Sequence, residues 1–152
     1  MSSRLFAEIR ERLGLAYSIH SYVDHFLDTG ALTVHAGVET SKLETAVKAI
    51  VEQLHKLKTP VSEAELSRAK EFSKGRLLLR MEDSRNVTGW MGGQETLTQK
   101  VLTPDQIIEI IDAVTTDEIK ELAEELIDSN EFRLAVVSPK ANEDRLNEII
   151  SG

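Results

Sequence analysis

The sequence predicts an α+β fold, with helices packed on one face of an antiparallel or mixed sheet. Three observations lead there. Residues 16–39 alternate apolar and polar around a turn signal, Asp28-Thr29-Gly30, which is the pattern of a half-buried hairpin. Residues 40–126 carry apolar side chains at helical spacing behind Ser and Thr caps. Strands and helices are also partly segregated along the chain, as in α+β domains and unlike the strict alternation of α/β folds.

The elements follow in order. "SSRLFAEIRERLG" reads as a short helix: Ser2 or Ser3 can cap it, Leu5, Phe6 and Ile9 form its stripe, and Gly14 suits the position past its end. "AYSIHSYVDHFLDTGALTVHAGVE" reads as two strands. If Asp28 pairs with Ala31, then Ile19, Val23, Leu27, Leu32, Val34, Ala36 and Val38 share one face, and His20, Tyr22, Asp24, Thr33, His35 and Glu39 the other. "TSKLETAVKAIVEQLHKLK" is the clearest helix, with Leu43, Ala46, Val47, Ile50, Val51 and Leu54 at i, i+3, i+4, i+7 spacing. Ser62 and Glu65 form a capping box opening a second long helix. That helix is expected to continue through "NVTGWMGGQETLTQK", although Gly89, Gly92 and Gly93 oppose it. Thr103-Pro104-Gln106 and Thr115-Glu118 cap two more helices. "FRLAVVS" reads as a strand and "NEDRLNEIIS" as a last short helix.

The 152 residues are expected to form a single domain with a real core. A net charge of −8 argues against a nucleic-acid backbone, which needs a basic stripe, and against an anionic membrane surface as partner. The absence of cysteine excludes disulfides and thiolate metal sites. The N-terminal stretch lacks the apolar run of a signal peptide, and no segment is apolar for the length of a bilayer. The expectation is a soluble, cytoplasmic protein. Three strands are few for so many helices, so either another chain covers the apolar strand faces or the sequence starts inside a domain whose first strand lies elsewhere.

Few constellations carry chemistry. His20 and His25 are five residues apart, hence on opposite faces of a strand. The expected register places His20 opposite Glu39 and His35 opposite Asp24, as cross-strand pairs rather than metal ligands. His55, near a helix end, reads as solvated. Neither H-x-x-E-H nor H-E-x-x-H occurs, nor a G-x-S-x-G elbow, and "GWMGGQ" lies in a helical stretch rather than after a strand. The glycines there read as a kink or a close helix contact, and the many carboxylates as capping and solvating groups. Arg10 and Tyr17 remain, seven residues apart across the Gly14 corner. Taken alone they are a surface arginine and a strand tyrosine, or a functional pair.

The stretch "MSSRLFAEIRERLGLAYSIHSY" resembles the signature of the second half of the pitrilysin/insulinase family of zinc metallopeptidases, which includes the mitochondrial processing peptidase and the bc1 core proteins. The resemblance extends through "DTGALTVHAGVET", "VSEAELSRAKEFSKGRLLLRMEDS", "VLTPDQIIEIIDAVTTDEIKELAEEL" and "FRLAVVSP", nearly the whole chain. It implies two similar halves facing each other across a chamber. The first half carries an inverted zinc motif whose glutamate activates water at the metal. The second lacks metal and supplies an arginine and a tyrosine seven residues apart. By that resemblance Tyr17 is the oxyanion hydrogen-bond donor, Arg10 binds the substrate peptide, and this chain contributes no metal ligand.

The implied function is the non-zinc half of a zinc metalloendopeptidase, with a peptide substrate, zinc in the other half as cofactor, and no activity in this chain alone. The alternative is a non-catalytic scaffold or partner subunit of the same fold, of processing-peptidase alpha or bc1 core-protein type. An unrelated α+β binding module is a third reading. Compared with the family, the chain lacks the first strand and helix and reads as a fragment. Uncovered strand edges then imply a homo-oligomer, its contact including the hairpin or the strand Phe132–Val137. Strand parity also puts Tyr17 on the apolar face with Ile19 and Val23, so the functional reading needs a bulge after Tyr17 or a chamber wall lined by that face.

Overall fold

A computed structural model describes residues 3–127 and 132–151. Met1 and Ser2, the latter one of the two candidate caps, lie outside the described residues. The chain divides into two units, Met1–Thr59 with Glu121–Gly152, and Pro60–Lys120.

In the first unit Ser3 caps the opening helix, its Oγ accepting from the Phe6 amide at 3.3 Å. The helix then widens into a π-helix over Phe6–Arg12, its last bond running from the Leu13 amide to the Glu8 carbonyl at 3.0 Å. Glu8 and Arg12 form an ion pair along it. Arg12 holds the Glu8 carboxyl below its ordinary value. Gly14 ends the helix at φ 59°, in the left-handed region where glycine carries no Cβ penalty.

Strands β1 (Ala16–His25) and β2 (Gly30–Val38) pair antiparallel. The faces are those the alternation predicts, but the pairing is not. His20 lies opposite His35 and Asp24 opposite Ala31, not opposite Glu39 and His35. The hairpin closes through a four-residue loop, the Phe26 amide donating to the Thr29 carbonyl at 3.0 Å, where a two-residue turn was expected. Gly30 therefore sits in the strand. A Cβ there would lie 2.9 Å from the Asp24 carbonyl oxygen, so the position needs glycine for close approach.

One face of the hairpin packs on the opening helix and on α1 (Leu43–His55). Ile9, Ala16, Ile19 and Ala49 form the buried cluster, with Leu5, Phe6, Val34, Ala36 and Ile50 around it. Helices on one face of an antiparallel sheet are the α+β arrangement the sequence predicts. Helix α6 (Glu143–Ser151) packs on α1, and Arg145 reaches Glu44 at 3.9 Å.

The expected strand Phe132–Val137 is not formed. Among the described residues the sheet has two strands. A strand exists only where an edge pairs with it. Here a cleft of ≈ 300 Å³ is lined by Val34 and Ala36 of β2, Val47 and Ile50 of α1, and Leu134 and Val136. The two backbones line the cleft instead of bonding to each other.

The second unit is helical. Helix α2 (Glu63–Met81) starts with the Glu65 amide donating to Ser62 Oγ at 3.2 Å. The expected continuation fails at Asp83, which accepts from the Arg85 amide at 2.8 Å and starts a separate helix, α3 (Ser84–Thr98). An aspartate at that position satisfies the amides of a new first turn, so the chain breaks there. The glycines are not the cause: Gly89, Gly92 and Gly93 lie inside α3, and a Cβ on any of them meets nothing within 4 Å. A close helix contact does not account for them. Helix α4 (Pro104–Ala113) opens on a complete capping box between Thr103 and Gln106. Lys74 joins α2 to α4 through Asp112 at 2.8 Å. Helix α5 (Thr116–Leu126) is introduced by Thr115 and Glu118, the Thr115 amide donating to Glu118 Oε2 at 2.8 Å and the Glu118 amide to Thr115 Oγ1 at 3.2 Å. No helix among the described residues is long and apolar enough to cross a membrane.

The Glu118 box sets a pH dependence. The Thr115 amide and then its hydroxyl stabilise the carboxylate, so the folded value lies below 4.5. A lowered folded value means the stabilisation is present above pH 4.5 and is lost as pH falls through the folded value. Urea unfolding of the wild type should therefore weaken in that acid range. Glu118→Gln, which keeps an acceptor but cannot titrate, should show a shallower loss. Parallel profiles for the two would remove the box from the acid response.

Candidate functional site

Ala16 and Ile19 both belong to the core, each 7% exposed. Three residues apart on a strand, they should face opposite ways. The conflict is resolved by a bulge: Ala16 pairs with Val38 and Ser18 with Gly37, so Tyr17 is the extra residue. A bulge turns its extra side chain away from the regular alternation. Tyr17 is 86% exposed, not on the apolar face where strict alternation would put it. Of the two alternatives the sequence leaves open, a bulge after Tyr17 or a chamber wall lined by the apolar face, the structure has a bulge, and it lies at Tyr17 itself.

Arg10 is positioned from the other side of the corner. Ile9, fully buried, anchors the π-helix in the core, and the next residue emerges at the surface. The Arg10 guanidinium carbon lies 4.9 Å from the Phe6 ring centre and 5.7 Å from that of Tyr17. At this range a cation over an aromatic face contributes about 0.5–1 kcal/mol at exposed sites. The two predicted residues are thus brought together. A phenol and a guanidinium stand side by side, both open to solvent, and each can donate hydrogen bonds to an oxygen acceptor.

The histidines differ from expectation. His20 and His35 are cross-strand partners with ring centres 5.0 Å apart and planes at 32°, and Tyr22 stacks on His20 at 6.0 Å. Sequence reasoning missed this pair because alternation fixes faces and leaves shifts by an even number of residues open. The length of the loop was the signal to weigh. His55, expected to be solvated, is half-buried with its ring edge-on to Phe132 at 5.8 Å. Among the described residues no group of three or more His, Cys, Asp or Glu could hold a metal ion, so the described side chains do not fit a catalytic zinc.

Comparison with known proteins supports the resemblance. Residues 1–72 match the family described as the peptidase M16 inactive domain. The uncharacterized zinc protease YmxG of Bacillus subtilis is 37% identical over 143 residues, covering 93% of this chain and 35% of the Bacillus protein. An uncharacterized zinc protease of Mycobacterium leprae is 35% identical over 147 residues, covering 96% of this chain and 33% of its own length. The chain thus spans about a third of the length of the curated relatives it matches. Among solved structures, a chain of Complex III2 from Candida albicans superposes with a TM-score of 0.77 at 23% identity, over 85% of this chain and 31% of that one; at that identity the match speaks for the fold.

The geometry separates support from exposure. Ile9→Ala should destabilise the chain by about 2–5 kcal/mol, the usual cost of emptying a buried aliphatic site. Arg10→Ala should change stability by less than about 1 kcal/mol, since only an exposed cation–ring contact is lost. Chemical denaturation of both variants checks this. Equal losses would mean that Arg10 is part of the packing.

Proposed function

We propose that this chain, related to the peptidase M16 zinc proteases along most of its length, serves as the zinc-free half of a zinc metalloendopeptidase. Residues 1–152 act as one domain of a soluble, cytoplasmic enzyme whose zinc is held by the other half. The observation that carries the reading is the bulge that exposes Tyr17 beside Arg10. The core requires the bulge but not a tyrosine in it, and a phenol exposed beside a guanidinium is what a task accounts for.

A zinc ion held by the other half would supply the activated water. The contribution of this chain is the opposite wall of the site. When the scissile amide is attacked, its carbonyl oxygen takes on negative charge, and the Tyr17 hydroxyl donates a hydrogen bond to it. That bond strengthens as charge develops, so it favours the transition state over the bound substrate. Arg10, with five fixed N–H donors, holds the carbonyls of the substrate peptide and braces the Tyr17 ring. The peptide binds equally in ground and transition states through Arg10, which affects KM more than kcat.

The second reading is a non-catalytic partner subunit of the same fold. The likeness to a chain of Complex III2 favours it, because such a subunit needs the fold and not the pair.

Kinetics of the enzyme reconstituted with a zinc-bearing half decide between them. On the first reading Tyr17→Phe lowers kcat about 10²–10³-fold, the effect of removing one oxyanion donor, and Arg10→Ala chiefly raises KM. Wild-type kinetics in both variants would leave the partner-subunit reading. The chain alone, given zinc, should leave peptides intact.

Association follows from the uncovered cleft. The outer edge of β2 and the Leu134–Ser138 backbone border it, and open strand edges recruit other chains. The isolated chain should form a homo-oligomer, most simply a two-fold dimer through the hairpin or Phe132–Val137. Light scattering across a dilution series tests this, and a monomer at every concentration would refute it.

A further inference from the structure

The hairpin register places two imidazoles directly opposite each other on the exposed face, His20 on β1 and His35 on β2. Both are exposed. We propose that this pair is a binding site for a divalent late-transition-metal ion, copper(II) above all.

The argument is geometric. A metal bound by a histidine nitrogen at about 2.0–2.1 Å sits about 3.2 Å from the ring centre. Two such rings in cis-planar or tetrahedral arrangement then have centres about 4.5–5.2 Å apart, by simple trigonometry on those bond lengths. The observed separation is 5.0 Å, the ring spacing that a shared ion requires. The backbone pairing fixes their Cα positions, and the Tyr22 ring stacked on His20 at 6.0 Å and 25° restricts one of them further. Preorganisation of this kind lowers the ordering cost of binding.

The chemistry selects the ion. Imidazole nitrogen suits copper, nickel and zinc, and copper(II) binds most tightly in the first-row order. Copper(II) also accepts two protein nitrogens in its plane and fills the other positions with water or a ligand from solution. Neither Asp24, opposite Ala31 and bonded to Thr33 Oγ1 at 3.4 Å, nor any other described carboxylate completes a three-residue set. The site is therefore two-coordinate from the protein, a chelate open to exogenous ligands. It owes nothing to Tyr17 or Arg10.

Copper(II) titrated into the chain as it stands should saturate at one ion per chain, with an electron paramagnetic resonance signal that carries imidazole nitrogen hyperfine structure. Nickel(II) and zinc(II) should compete with it more weakly. His20→Ala or His35→Ala should each weaken binding by at least about tenfold, because losing a ligand exceeds the 10–100-fold cost of losing its outer-shell support. His25→Ala with His55→Ala should leave binding unchanged. Copper that follows His25 or His55, or that binds the His20→Ala, His35→Ala double variant as tightly as the wild type, would overturn the proposal.

Discussion

The structure around the candidate residues depends on one steric conflict. Ala16 and Ile19 must both reach the core that Ile9 and Ala49 define, yet their odd spacing forbids it on a regular strand. Burying a side chain such as Ile19 contributes about 1.5–3 kcal/mol, while an unpaired ladder group that stays in reach of water loses about 0.5–1.5 kcal/mol. Packing wins, and the chain inserts one residue. That residue is Tyr17, and its exposure is what the core demands. The same core holds Ile9 and so aims Arg10. The two polar groups are therefore placed by apolar contacts they do not make.

The corner between them is equally determined. Gly14 has φ 59°, and a Cβ there would meet nothing within 4 Å. The requirement is conformational and not spatial: the left-handed backbone lets the chain leave a π-helix and enter a strand within three residues. Lys42 Nζ donates to the Gly14 carbonyl at 3.2 Å, tying the corner to the turn before α1. At Gly37 space is tight: a Cβ would lie 3.0 Å from Ser18 Oγ, so that hydroxyl would have to give way, just where the bulge rejoins the ladder.

Features set by local chemistry were legible in the sequence. The Ser62, Thr103 and Thr115 caps stand where the Ser/Thr-x-x-Glu/Gln pattern put them, because a cap is decided within four residues. The hairpin faces were legible as well, since alternation has only two solutions. The spacing and context of Arg10 and Tyr17 singled out the candidate pair, and the parity of Tyr17 left a bulge and a chamber wall as alternatives. What escaped depends on longer-range partners. An even shift in register keeps every face intact, so Ile19 and Val34 could not report that His20 meets His35. The break at Asp83 competes with the helical continuation of a sequence in which Leu77, Leu78 and Leu79 are strong helix formers. The segment at Phe132 has strand composition, but composition does not provide a neighbouring edge.

That last point bears on the proposed function. Leu134 and Val137 are 40% and 106% exposed and Tyr17 is 86% exposed, an arrangement that is poor for a free surface and reasonable for a surface meant to be covered. The two kinds of exposure differ in chemistry. The cleft beside Val136 offers apolar side chains and unpaired backbone, which suit another strand. The Tyr17–Arg10 corner offers directed donors, which suit a polar ligand that changes charge. A scaffold needs only the first. The second is hard to account for by folding alone, since a serine or threonine at the bulge would satisfy the core equally well. On the proposed reading each surface faces a different occupant, polypeptide edge at the cleft and reacting peptide at the corner, and one hairpin carries both.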